Sequence, residues 1–195
     1  MRLWLVRHPA VQLPAGICYG ATDVAADPVH TAACADRLAR LLPETVAAWS
    51  SPLGRCRSLA DALQAQRPGL RFKSDPRLAE MDFGRWEGQH WDRIGAAAVA
   101  AWTEDFAQHR PGGGESVQIF LARVRQALDD TVARACEQGC AQALWITHAG
   151  VVKAARWLQA EREPLTRADQ WPAASLACGE CCVLDLPAAG PLSAE

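Results

Sequence analysis

The chain has 195 residues, 50% of them hydrophobic and 22% charged, with a formal net charge of −2. This is the size and mixture of one soluble globular domain. The charge gives no electrostatic reason to expect nucleic acid or an anionic membrane as a partner, and no run approaches eighteen apolar residues, so no spanning helix is expected. The opening "MRLWLVRHPA" holds too short an apolar run for a signal peptide, and a cytoplasmic protein is expected.

In chain order, "RLWLV" (2–6) reads as a buried strand that ends on Arg7 and His8. "DPVHTAACADRLARLL" (27–42) has Asp and Pro in cap and first-turn positions and apolar residues at helical spacing. "TVAAWS" (45–50) is a second strand, after which Ser51-Pro52 opens a helix that Pro68-Gly69 closes. "LRFKSD" (70–75) is a short third strand. Residues 89–109 have helical propensity, interrupted at Gly95. "PGGGES" (111–116) is a loop that ends in a capped helix start at Glu115-Ser116, and 117–139 is a long amphipathic helix ended by Gly139. "AQALWITH" (141–148) is a fourth buried strand, residues 149–161 a helix, "ECCVLDL" (180–186) a last strand, and the tail 187–195 reads as frayed.

Strands alternating with helices predict an α/β fold, a three-layer sandwich with a mainly parallel central sheet flanked by helices. Ligands of such sheets sit outside the carboxyl ends of the strands. Arg7-His8, Ser50-Ser51 and Thr147-His148 then fall on one edge.

That edge carries chemistry. Arg7 and Arg55 supply planar forks suited to phosphate oxygens, and helix starts after Ser51 and His148 add backbone donors for an anion. His8 and His148 offer a nucleophile and a partner that stabilises charge. No glycine-rich nucleotide loop or acidic magnesium cluster accompanies them, so a histidine nucleophile is the economical route to phosphoryl transfer. Neighbouring arginines favour the neutral imidazole this needs. "DPRLAEMDFGRWEG" (75–88) offers Glu80, Asp82 and Glu87 as acids for the leaving alcohol, Glu80 first and Asp82 second. Gln12, Tyr19, Thr22 and Ala149 are placed with the substrate by position. His30, His90 and His109 read as surface residues.

Eight cysteines stand at 18, 34, 56, 136, 140, 178, 181 and 182. "CEQGC" and "CGECC" have metal-like spacing, but the set reads as scattered thiols, and neither a metal nor a cofactor is expected.

The segments "LVRHPAV", "SSPLGRCRSLA", "RLAEMDFGRWEG", "PGGGES" and "WITHAG", in that order, resemble the histidine phosphatase superfamily, with its phosphoglycerate-mutase-like fold. The resemblance spans nearly the whole chain and implies one domain over 1–195 with a lid-like helical insertion at about 89–115. It implies that Arg7, Arg55 and His148 bind phosphate, that His8 is phosphorylated, and that Glu80 is proton donor and later base. The chain departs from the family at Pro9, where glycine is usual; proline removes a backbone donor. "GICYGATDV" (16–24) and "EMDFGRWEG" resemble the alpha-ribazole phosphatase branch of cobalamin assembly. The expected activity is a metal-independent phosphomonoesterase acting on a small molecule, as monomer or homodimer. A phosphoglycerate-type mutase and a silent phospho-ligand-binding protein are the alternatives.

Overall fold

The sequence places Leu3, Leu5 and Val6 in its first strand, and all three are fully enclosed. The computed structural model describes residues 1–160 and 164–187. Five strands, β1 (Arg2–Arg7), β2 (Ala47–Ser50), β3 (Phe72–Ser74), β4 (Gln142–Thr147) and β5 (Cys181–Asp185), form one sheet in the order β3-β2-β4-β1-β5. Three pairings are parallel and only β1 with β5 is antiparallel. The expected mainly parallel sheet is therefore present, with its last strand reversed at the edge.

Side chains alternate across each strand, so one strand feeds two cores. Leu3, Leu5, Ala143 and Trp145 pack beneath α5 (Val117–Glu137) and α6 (Ala149–Gln159). Val6, Leu144 and Ile146 pack on the other face against α1 (Pro28–Leu41) and α2 (Gly54–Gln66). Helices thus cover both faces, in three layers.

The helix ends show which local signals hold. Asp27 caps α1 by accepting from the His30 N–H at 2.6 Å, with Pro28 in the first turn; such a cap contributes ~1 kcal/mol. Ser116 caps α5 by accepting from Ile119 N–H, and Gly139, at φ 64°, takes the left-handed turn that ends it. One boundary differs from expectation. The second helix starts at Gly54 after Leu53, not at Ser51-Pro52; the Ser51 hydroxyl accepts from Leu53 N–H at 3.3 Å in the turn before the helix and lies 2.8 Å from His148 Nε2. Residues 89–109 hold two short helices, α3 (Trp91–Ile94) and α4 (Ala96–Glu104), and the expected interruption falls at Gly95, at φ 85°. Helix α6 ends at Gln159; Glu161 and residues 188–195, where the sequence suggests more helix and a frayed tail, lie outside the described residues. No described helix is long and apolar enough to cross a membrane.

Candidate active site

The parallel ladder carries past the strand ends and brings the polar residues together. His8 N–H donates to the Thr147 carbonyl at 2.8 Å, and Ser51 N–H to the Ile146 carbonyl at 2.9 Å. Above these ends lies a cavity of about 170 Å³ lined by Arg7, His8, Tyr19, Arg55, Glu80 and Phe83, with Ile17, Cys18 and Trp91.

His8 is 2% exposed, and its Nδ1 lies 2.7 Å from the Pro9 carbonyl. A carbonyl only accepts, so Nδ1 carries the proton and Nε2 holds the free lone pair. Pro9, which lacks an N–H, thereby sets the tautomer of the neighbouring imidazole. Burial, then the Arg55 and Arg7 charges, push the His8 pKa down to about 3, against the opposing pull of the Pro9 bond. The ring is therefore a neutral base throughout the physiological range.

This shift has a sign that can be measured. Between pH 6.5, the ordinary histidine value, and about 3, the unfolded chain protonates His8 and the folded chain does not. The contribution is fully present above 6.5 and is lost as pH falls, at about 1.4 kcal/mol per pH unit. Chemical denaturation at pH 7 and pH 5 should show His8→Gln losing roughly 2 kcal/mol less than the parent over that interval. Equal losses would show that His8 is not held neutral by the fold.

His148 is fully enclosed and does not line the cavity. Its Nδ1 accepts from Arg55 Nε at 3.2 Å, so Nε2 bears the hydrogen, 2.8 Å from Ser51 Oγ. Burial first, then Arg55 and His8, hold it well below the ordinary histidine range. Its ring centroid lies 5.2 Å from that of His8. The other arms of Arg55 donate to the carbonyls of Thr22 at 2.8 Å and Gly20 at 2.7 Å, which leaves one hydrogen on each terminal nitrogen for a ligand. Arg7 Nη1 donates to the Leu176 carbonyl at 2.7 Å, while its buried Nε has no acceptor among the described residues. An orphaned buried N–H costs about 1–3 kcal/mol, which an anion oxygen would recover.

Three carboxylates compete for the role of acid, and their surroundings separate them. Glu87 accepts from the N–H groups of Ala21, Thr22 and Phe83 and from the Thr22 hydroxyl. Burial pushes it up, but these bonds outweigh burial and hold it below the usual carboxylate range. Glu87 is a staple between two loops. Asp82 is exposed and accepts from Gly84 N–H at 2.7 Å, outside the cavity. Glu80 alone lines it, with Oε2 accepting from Gly150 N–H at 2.9 Å and Oε1 from its neighbour Met81 at 3.1 Å. A Cβ at position 150 would lie 2.3 Å from Glu80 Oε1, so glycine there makes room for the carboxylate.

The substrate neighbours divide in the same way. Tyr19 lines the cavity, edge-on to His8 and 5.2 Å beneath the Arg55 guanidinium. Thr22 is exposed and spent on Glu87 and Arg55. Gln12 does not belong to the cavity; it is exposed, and its N–H donates to the Ala25 carbonyl. Ala149 lines a separate apolar cavity. His30 is half-buried and accepts from Ala10 N–H, and His90 caps α3, so neither is a plain surface residue.

Sequence reasoning missed Arg123. Its guanidinium donates to the carbonyls of Arg77, Ala79 and Glu80 and is paired with Glu115 at 2.7 Å, so it clamps the backbone that carries Glu80. The available signal was its spacing: three residues after Phe120 and four before Ala127 puts Arg123 on the buried flank of α5. Burial holds the Cys18 thiol, which lines the cavity, and the Cys56 thiol beside His148 up at about 12. Neither is a thiolate nucleophile. Among the described residues no group of three or more His, Cys, Asp or Glu could hold a metal ion.

A neutral imidazole facing a cavity that two arginines and a carboxylate share is the apparatus of histidine-based phosphoryl transfer. The family model described as histidine phosphatase superfamily (branch 1) matches residues 3–182. The chain belongs to that superfamily and is a phosphatase. It is 30% identical over 158 residues to the adenosylcobalamin/alpha-ribazole phosphatase of Salmonella typhimurium, covering 78% of this chain and 76% of that one. It is 35% identical over 113 residues to a glucosyl-3-phosphoglycerate phosphatase of Mycobacterium tuberculosis, covering 54% of this chain and half of that relative. Among solved structures, the native mycobacterial glucosyl-3-phosphoglycerate phosphatase superposes with a TM-score of 0.79 at 26% identity, covering 93% of this chain and 88% of that one. A protein from Thermus thermophilus superposes at 0.71 and 29% identity, covering 96% and 95%.

Proposed function

We propose that the chain is a metal-independent phosphomonoesterase working through a phosphohistidine on His8, with alpha-ribazole 5'-phosphate as its first candidate substrate. The observation that carries this reading is the locked tautomer: the Pro9 carbonyl holds the Nδ1 proton and leaves the Nε2 lone pair as the nucleophile. Nε2 attacks phosphorus, a P–N bond forms, and the ester P–O bond breaks. Arg7 Nε and the remaining Arg55 hydrogens stabilise the phosphoryl oxygens. The leaving oxygen takes a proton from Glu80. Water then gives a proton back to Glu80 and attacks phosphorus; the P–N bond breaks, phosphate leaves, and Nε2 regains its lone pair. His148 acts through Arg55, whose fork it orients.

Similarity to the Salmonella relative supports the alpha-ribazole assignment, and the Mycobacterium relative makes glucosyl-3-phosphoglycerate the rival. A phosphate-release screen without added metal, over alpha-ribazole 5'-phosphate, glucosyl-3-phosphoglycerate, phosphoglycerates and nucleotides, tests both levels. The expected result is release unaffected by EDTA and highest for alpha-ribazole 5'-phosphate. Chelator-sensitive release would overturn the metal-independent mechanism. Dominance of another ester would overturn the substrate while leaving the mechanism. Transfer to a second substrate hydroxyl instead of water would make it a mutase.

A further inference from the structure

A second cavity, of about 250 Å³, adjoins the first and shares Glu80 and Phe83 with it. Because Glu80 stands in both, whatever alcohol it protonates has this second cavity within reach of its far end. The walls come from three separate parts of the chain: Trp102 and Phe106 of the α4 region, Phe120 of α5, and Trp171 of the segment before β5. Phe83 and Trp102 meet edge to face at 5.9 Å, as do Phe106 and Trp171 at 6.2 Å, while Trp102 and Phe106 are tilted by 31° at 5.4 Å. The polar groups along it are Glu80, Lys153 and Ser175, and one donor lies in the wall itself: Trp102 Nε1, buried and without an acceptor among the described residues.

Such a lining selects against polyols. A polyol has more hydroxyls than Glu80, Lys153, Ser175 and Trp102 could pair, and each one left among the rings would give up its hydrogen bonds to water without replacement. A flat apolar ring incurs no such cost and gains contact with several aromatic faces. A ring nitrogen seated against Trp102 would also give the indole N–H the acceptor it lacks. We infer that this cavity receives the leaving group, that the leaving group carries a flat heteroaromatic ring with a hydrogen-bond acceptor, and that Trp102 is a specificity-determining residue. The inference rests on the phosphatase reading above and narrows its substrate class to ring-bearing 5'-phosphates.

The test compares alpha-ribazole 5'-phosphate with ribose 5-phosphate, which presents the same ester without the ring. In the parent protein the ratio of their kcat/KM values should exceed roughly 100, because an aromatic ring adds more contact than the single methylene that already discriminates 10-fold or more. In Trp102→Ala the ratio should fall at least about tenfold, and in Trp102→Phe, which loses the N–H but keeps a ring, by a smaller factor. A general structural lesion lowers both rates and leaves the ratio standing, which would overturn the role of Trp102. A parent ratio near one, which needs no variant, would overturn the subsite. So would a preference for glucosyl-3-phosphoglycerate that depends on Lys153. Failure to release phosphate from any ester, p-nitrophenyl phosphate included, would instead overturn the phosphatase reading on which the subsite depends.

Discussion

His8→Ala is expected to abolish phosphate release, by roughly four orders of magnitude or more, the scale on which removal of a nucleophile acts. The protein should stay folded, because the ring's one fixed hydrogen bond is to the carbonyl of the next residue. No ladder contact depends on the side chain: the His8 N–H bond to Thr147 is made by backbone. A second readout separates nucleophile from mere neighbour. Rapidly quenched under alkaline conditions, which preserve P–N bonds, the parent should carry phosphate on His8 in mass spectra, and the variant none. Phosphate on another residue, or substantial remaining turnover, would remove His8 from the role. Neither outcome depends on which ester proves physiological, since every ester would leave the same phosphohistidine behind.

Glu80→Gln carries the next largest effect. It should slow alkyl phosphates by about 10²- to 10⁴-fold, the usual worth of a positioned general acid. p-Nitrophenyl phosphate should lose far less, because its leaving group departs without a proton. The variant keeps an acceptor for Gly150 N–H, which the Glu80 carboxylate holds at 2.9 Å, so the side chain should remain in place. Equal losses on the two substrates would show that Glu80 positions the phosphate and gives it no proton. Glu87→Gln provides the contrast, since that carboxylate is committed to the 21–22 and 83 backbone; its effect should appear as loss of stability without leaving-group dependence.

Much of the site was legible before any fold was known. Arg7, His8, Arg55 and Glu80 converge on one cavity: Arg7 ends β1, His8 follows it and Arg55 lies in the first turn of α2, all places that local pattern already marked, whereas Glu80 stands in the loop between β3 and the segment 89–115. Gln12 and Thr22 were chosen for being near in sequence, and the loop after β1 turns both outward. The choice among Glu80, Asp82 and Glu87 could be ranked but not decided, because the three differ in partners rather than in residue type. The segment 89–115 brings Trp91 to the first cavity and Trp102 and Phe106 to the second, although its helices are shorter than propensity suggested.

The sequence by itself determined the alternation of strands and helices, the caps at Asp27 and Ser116, and the polar ends of the strands. These depend on residues a few positions apart, so the information is local. Only the tertiary structure decided the strand order, the reversed β5, the tautomers of His8 and His148, the clamp of Arg123 on Glu80, and the aromatic cavity beyond it. The reason is physical. A protonation state or a carboxylate's task is set by burial and by hydrogen-bond partners, and those come from far along the chain: Arg55 meets His148 across 93 positions, and Glu80 meets Gly150 across 70. Periodicity cannot specify such pairs; they exist only once β1, β2 and β4 lie side by side.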